Sequence, residues 1–209
     1  MPDRKRTFTP AEAAVVTAVP IEAVNRELAA GPIGRRLTKS GHKPGLQEED
    51  LLYLTIARGL ETRFVQLTTA GKDELYNAIL TRCRNKRPAW SQFVVFEGHL
   101  SLDLKSVSKE VHSGWERLEC ARAMVVEDPE IRGGEACIRG TRIGVYEIVS
   151  MFKKGATDEE ILEGYPSLTG EQLALAKIYA QAYPRKGRPY RHPWHQPPWR
   201  EISPGTTHG

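Results

Sequence analysis

Apolar positions recur at helical spacing in short runs, each bounded by recognisable start and stop signals. Val145, Ile148, Val149 and Phe152 fall at i, i+3, i+4 and i+7, one face of a helix. Lys153, Lys154 and Gly155 close it, with cations in the last turn and glycine just beyond. Thr157-Asp158-Glu159-Glu160 is a capping box that opens a second helix, with Ile161 and Leu162 inward. Thr169-Gly170-Glu171-Gln172 is another, and Leu173, Ala176, Ala180 and Tyr183 follow in line. Short helices joined by tight turns predict a helix-turn-helix-like bundle of three helices at the C-terminal side.

The same grammar appears near the N-terminus. Thr9-Pro10-Ala11-Glu12 is a capping box with proline at the first helical position, and Phe8 sits where a hydrophobic staple would. Ala13, Ala14 and Val16 give a short apolar face. A turn at 17–19 leads to Pro20 and a second helix with Ile21, Val24 and Leu28 inward, stopped by Gly31-Pro32. Glu22, Asn25 and Arg26 then lie on its exposed face. Residues 35–45 are expected to form a polar loop carrying Arg35, Arg36, Lys39 and Lys43 and no acid. Gln47-Glu48-Glu49-Asp50 gives an acidic first turn to a helix bearing Leu51, Leu52, Leu54 and Ile56.

Between these ends the pattern alternates. Leu75, Ile79 and Cys83 share a helical face within 71–83. Phe93 to Phe96 and Leu100 to Leu104 are strand-like about Gly98, and Val107, Val111, Trp115 and Leu118 suit a helix leading to Met124. Arg139-Gly140-Thr141-Arg142 reads either as a binding or catalytic pair of arginines or as a turn. The turn is preferred: Gly140 permits an unusual backbone angle and Thr141 caps the next helix, with the extended 137–143 run offering a free edge for pairing across a dimer.

Composition sharpens this picture mainly at the C-terminal end. From 184 to 209 there are five basic side chains and one acid, which accounts for the whole net charge of +4, so the body is neutral overall. Prolines there forbid regular helix, yet Tyr190, Trp194 and Trp199 are interleaved with Arg185, Lys186, Arg188, Arg191 and Arg200. Aromatics and arginines together are the usual anchors of an interface, so this segment is expected to bind a partner. Cys83, Cys120 and Cys137 are too widely spaced for a zinc site or a disulfide framework. No apolar run has the length of a membrane span, no signal core follows Met1, and a cytoplasmic location is expected. No nucleophile elbow, phosphate-cradling glycine loop or His-Glu-x-x-His is present, so no catalytic residue, metal site or cofactor is expected.

Asp128-Pro129, Gly133-Gly134, the Ile138 to Ile143 box, Gly155, Glu159-Glu160-Ile161-Leu162 and Tyr165-Pro166-Ser167-Leu168 occur in an order that resembles domain of unknown function 433. Members of that family look like antitoxins of toxin–antitoxin pairs, often beside a toxin with a PIN-like ribonuclease fold. The resemblance therefore implies a VapB-like role. The N-terminal arrangement resembles the MerR-like winged-helix group. On that resemblance Glu22, Asn25 and Arg26 belong to the recognition helix, and the cations at 35, 36, 39 and 43 to a wing lying along phosphates.

These readings define the expectation. The fold is mainly α with a small β component. It comprises a winged helix-turn-helix over 1–61, an α/β connecting and dimerisation segment over 62–124, a three-helix antitoxin-family domain over 125–184 and a Pro/Trp/Arg-rich tail over 185–209. The function expected is that of a non-enzymatic antitoxin and repressor. It would form a homodimer, bind operator double-stranded DNA and inhibit a PIN-like ribonuclease toxin through its tail, with no membrane partner. The alternative is a MerR-like transcriptional regulator without a toxin.

Overall fold

The computed structural model describes residues 6–40, 45–63, 65–84, 93–95, 100–102 and 104–185. Its helices are α1 (Pro10–Thr17), α2 (Ile21–Ala30), α3 (Pro32–Ser40), α4 (Glu48–Glu61), α5 (Thr69–Arg84), α6 (Leu104–Met124), α7 (Val145–Lys153), α8 (Asp158–Gly164) and α9 (Gly170–Ala182). The strands form small antiparallel hairpins, β1 (Phe93–Val95) with β2 (Leu100–Leu102) and β3 (Val125–Val126) with β4 (Cys137–Ile138). The architecture is mainly α with a small β component, as the periodicity predicts. Gly98 and Phe96 lie outside the described residues, and Leu104 begins α6 rather than ending a strand. Among the described residues no helix is long and apolar enough to cross a membrane.

The local signals act where they are written. Thr9, Thr157 and Thr169 each accept from the backbone N–H three residues on, and Glu12, Glu160 and Gln172 reach back to complete the box. Phe8 is 2% exposed, exchanges backbone hydrogen bonds with Leu46 at 2.8 and 2.9 Å, and meets Trp115 edge-on at 5.7 Å. This ties the chain before α1 to the chain before α4.

Two hydrophobic clusters share helices rather than dividing at a linker. The first gathers α1 to α5 around Val24, Ile33, Leu51 and Tyr53, and takes Leu118 from α6 and Ala182 from α9. The second packs Val125, Ile138, Val145, Ile148, Ile161 and Leu173 together, and takes Ala121 from α6. The boundary between cores therefore falls inside α6, within one helical turn. Gly114 lets α6 approach α1 closely; a Cβ there would stand 2.1 Å from the Val16 carbonyl oxygen.

The expected polar loop over 35–45 is corrected: residues 32–40 are helix α3. Proline suits a first helical turn, and Ile33 and Leu37, one turn apart, give the helix an inward side. Arg35 N–H donates to the Gly31 carbonyl at 3.2 Å, so Gly31-Pro32 ends one helix and begins the next. The expected lack of compensating acids is also corrected. Arg35 pairs with Asp73, and Arg36 Nη2 donates to Asp50 Oδ2 at 2.6 Å. Both acids are distant in sequence, which is why the loop's own composition could not reveal them.

The free edge expected over 137–143 is absent. β4 pairs with β3 on one side, and Cys137 bridges Gly144 on the other, while Arg139 N–H donates to the Met124 carbonyl at 2.8 Å. Thr141 does not cap α7, whose cap position is Gly144. Its hydroxyl instead donates to the Ile138 carbonyl at 2.8 Å and accepts from Ile143 N–H at 3.1 Å, closing a turn in which Gly140 has φ 77°.

Candidate functional site

The helix pair α1–α2 meets at a three-residue turn. Ala18 adopts a left-handed conformation (φ 52°) and Val19 N–H donates back to the Ala14 carbonyl at 3.1 Å. Val19 is buried, which plugs the turn against the core. α2 then buries Val24 and Glu27 and turns Glu22, Asn25 and Arg26 to solvent, where the helical spacing places them. Of the expected wing cations, Arg35 and Arg36 are held by acids of α5 and α4, Lys39 lies on α3, and Lys43 is outside the described residues.

A second constellation forms on the 125–185 segment. Arg132, Gly133 and Gly134 have φ 51°, 67° and 84°, a run of left-handed positions that folds the chain back sharply. Ile131 and Gly134 N–H both donate to the Asp128 carbonyl, at 2.9 and 3.1 Å, and fix that bend. The bend lays Arg132 across α7. Its Nη1 donates to Glu147 Oε2 at 2.6 Å and its Nε to Glu135 Oε2 at 3.1 Å. Tyr165 donates to the other Glu147 oxygen at 3.1 Å. Arg185 donates to Glu135 Oε1 at 3.0 Å, and its guanidinium lies 5.7 Å from the Tyr146 ring.

Arg132, Glu135, Tyr146, Glu147 and Arg185 line an open groove of about 450 Å³ together with Ser150, Met151 and Lys154. The Arg132 guanidinium holds the Glu147 carboxyl below the usual carboxylate range, so it stays ionised at neutral pH. The hydrogen bond to Glu147 in turn pushes the Tyr165 hydroxyl up. Glu135 and Glu147 thus each accept from exposed arginines, a pattern suited to exchange of ion pairs with a charged partner. Among the described residues no group of three or more His, Cys, Asp and Glu could hold a metal ion.

Of the residues expected to contact a toxin, the structure places Arg185 in this groove. Lys186, Arg188, Tyr190, Arg191, Trp194, Trp199 and Arg200 lie outside the described residues. Arg139 and Arg142 are exposed; Arg139 Nε donates to the Ala123 carbonyl at 2.9 Å, so the first of the two arginines fastens a turn. Sequence reasoning missed Arg132, Glu135, Tyr146 and Glu147. The available signal was Gly133-Gly134, since adjacent glycines before a strand mark a sharp bend that delivers its neighbours to a common face.

Residues 125–180 match the family model described as protein of unknown function (DUF433). An uncharacterized protein y4eO from Sinorhizobium fredii is 36% identical over 96 residues, covering 46% of this chain and 43% of that relative. The chain thus spans less than half the length of the curated relative it matches. A crystal structure of a DUF433 member protein from Anabaena variabilis shares 26% identity over 52% of this chain and 88% of that one, at a TM-score of 0.29. At that score the likeness carries no argument about the fold.

Proposed function

We propose that this protein is an antitoxin-type repressor: α2 reads operator DNA, and the 125–185 segment with the residues beyond it binds and inhibits a PIN-like ribonuclease partner. The observation that carries the first half is the exposed row Glu22, Asn25 and Arg26 on the second helix of a helix-turn-helix whose turn is locked by Ala18 and Val19. Asparagine and arginine are the side chains that read adenine and guanine edges in a major groove. The second half is supported by the family match over 125–180 and by the groove that ends in Arg185. There Glu135 and Glu147 hold arginines that an acidic nuclease surface would compete for, and Arg185 stands at the root of the Trp- and Arg-rich segment.

Arg36 is held by the buried Asp50, so replacing it tests folding, whereas Arg35 pairs with Asp73 where both side chains are exposed and stays open to exchange that acid for a phosphate. The DNA experiment is fluorescence anisotropy of the full chain with duplexes from its own promoter and with unrelated duplex, over a salt series. The promoter duplex binds tighter, and Asn25→Ala lowers that preference by about 1–3 kcal/mol. Equal binding of both duplexes by wild type ends the operator reading. The partner experiment is co-expression with the neighbouring reading frame, scored by growth. Wild type rescues growth, and a chain lacking residues 186–209 does not. Rescue by the truncated chain reassigns inhibition to the helical segment.

A homodimer through residues 125–183 belongs to the same proposal. With β4 paired on both sides, its contacts are side-chain faces rather than strand edges.

A further inference from the structure

A second concavity, of about 670 Å³, lies where the helix-turn-helix meets the rest of the fold. Its floor is apolar: Ala14 and Val15 of α1, Val19 and Ile21 across the turn, Gly114 of α6 and Ile178 of α9. The space exists because its walls are small. Gly114 brings the α6 backbone against α1, and alanines at 11, 14 and 18 leave volume that larger side chains would fill. The volume falls within the range of about 300–1,000 Å³ typical of small-molecule sites.

The polar lining is one-signed. Arg117 is the one charged side chain of the lining, the exposed Gln181 adds a neutral amide with both donors and an acceptor, and the lining contains no carboxylate. Elsewhere on α6, Arg122 shares Glu119 with Arg6. Among the described residues Arg117 has no ion-pair partner. An apolar trough with a lone guanidinium at its rim is complementary to an apolar chain or ring ending in a carboxylate.

We propose that this groove binds a small amphipathic carboxylic acid, its hydrocarbon against α1, α6 and α9 and its carboxylate on Arg117. An occupant would touch both the turn at 18–20 and α9, and so would brace the reading helix against the C-terminal core. The site does not depend on DNA or nuclease binding, so its test is independent of both.

The experiment is isothermal titration calorimetry of the full chain with decanoate below its micellar concentration, with decylammonium and acetate as charge-reversed and chain-free probes. Decanoate gives a saturable single-site isotherm, about tenfold or more tighter than decylammonium, as one charge-assisted hydrogen-bonded pair warrants. Acetate gives none. Arg117→Gln, an exposed substitution, brings decanoate down to the level of decylammonium, and Ala14→Trp removes decanoate binding while leaving Arg117 in place. Absence of saturable binding, equal affinity for the two decyl probes, or full affinity in Arg117→Gln would overturn the proposal. So would decanoate binding that appears only after residues 186–209 are removed, because that assigns the groove to the chain's own C-terminal segment.

Discussion

The N-terminal core and the 125–185 segment use the same chemical unit, a carboxylate held by a tyrosine and a cation, to opposite ends. In the N-terminal core Glu27 accepts from Tyr53 at 3.0 Å and from Lys72 at 2.6 Å, and Asp50 accepts from Tyr76 at 2.5 Å and from Arg36 at 2.6 Å. Both acids are buried, and the rings of Tyr53 and Tyr76 meet edge-on at 5.3 Å. In the C-terminal segment Glu147 accepts from Tyr165 and Arg132, but acid and arginine are each 39% exposed. Burial decides the difference. Desolvation raises the pKa of Asp50 despite its partners, whereas Arg132 lowers that of Glu147. A buried triad is fixed, because every member depends on the others for hydrogen bonds lost from water. An exposed one can trade a member for a partner's group at little cost. The inner triads therefore hold the N-terminal helices together, and the outer one is open to exchange.

The largest test removes a buried acid. Asp50→Ala strands Arg36 and Tyr76 and also takes away the acceptor for Gln47 N–H at the start of α4. A loss of about 3–5 kcal/mol in denaturant unfolding is expected. A loss under 1 kcal/mol would mean that the inner triads are no more committed than the outer one.

Next comes the helix the two regions share. Gly114→Ala places a methyl group against the Val16 carbonyl, and since neither partner is a flexible side-chain end, α6 must move away from α1. A destabilisation of about 1–3 kcal/mol is expected. Because α6 carries Leu118 into one core and Ala121 into the other, both regions should unfold at the same lowered temperature. Separate transitions in calorimetry would show that the cores are not coupled through this helix.

The smallest effect belongs to the outer triad. Glu147→Gln should cost no more than about 1 kcal/mol at neutral pH, since the pair is solvent-screened. Its pH dependence has a definite sign. Glu147 has a folded pKa below the unfolded value of about 4.3, so its contribution is complete above that pH and disappears as pH falls through the lowered value. Asp50 runs the other way. Its raised pKa makes its protonated form the favoured one in the fold, and its contribution declines as pH rises through that value. Denaturation midpoints measured from pH 6 down to pH 3 should show wild type and Glu147→Gln converging as acidity increases. A gap that widens on acidification would reverse the assignment for Glu147.

What the sequence by itself determined is local. The capping boxes at Thr9, Thr157 and Thr169, the helices they open and the outward row Glu22, Asn25 and Arg26 follow from residues within a few positions of one another. Those interactions are decided by backbone geometry before any packing occurs. Glycine at 140 likewise announced its left-handed turn. Only the tertiary structure decided which charges meet a partner, and which of those partners are buried. Arg35 and Arg36 read as a bare basic stretch because their acids, Asp73 and Asp50, lie on other helices. Lys72 reaches Glu27 across 45 positions and Tyr183 reaches Glu12 across 171, where its hydroxyl donates to the same carboxylate that caps α1. The groove around Arg132 and the trough beside Arg117 were hidden for the same reason. A side chain's partner is chosen by which helix faces pack together, and that choice rests on hydrophobic burial summed over the whole chain, not on the spacing of polar residues along it.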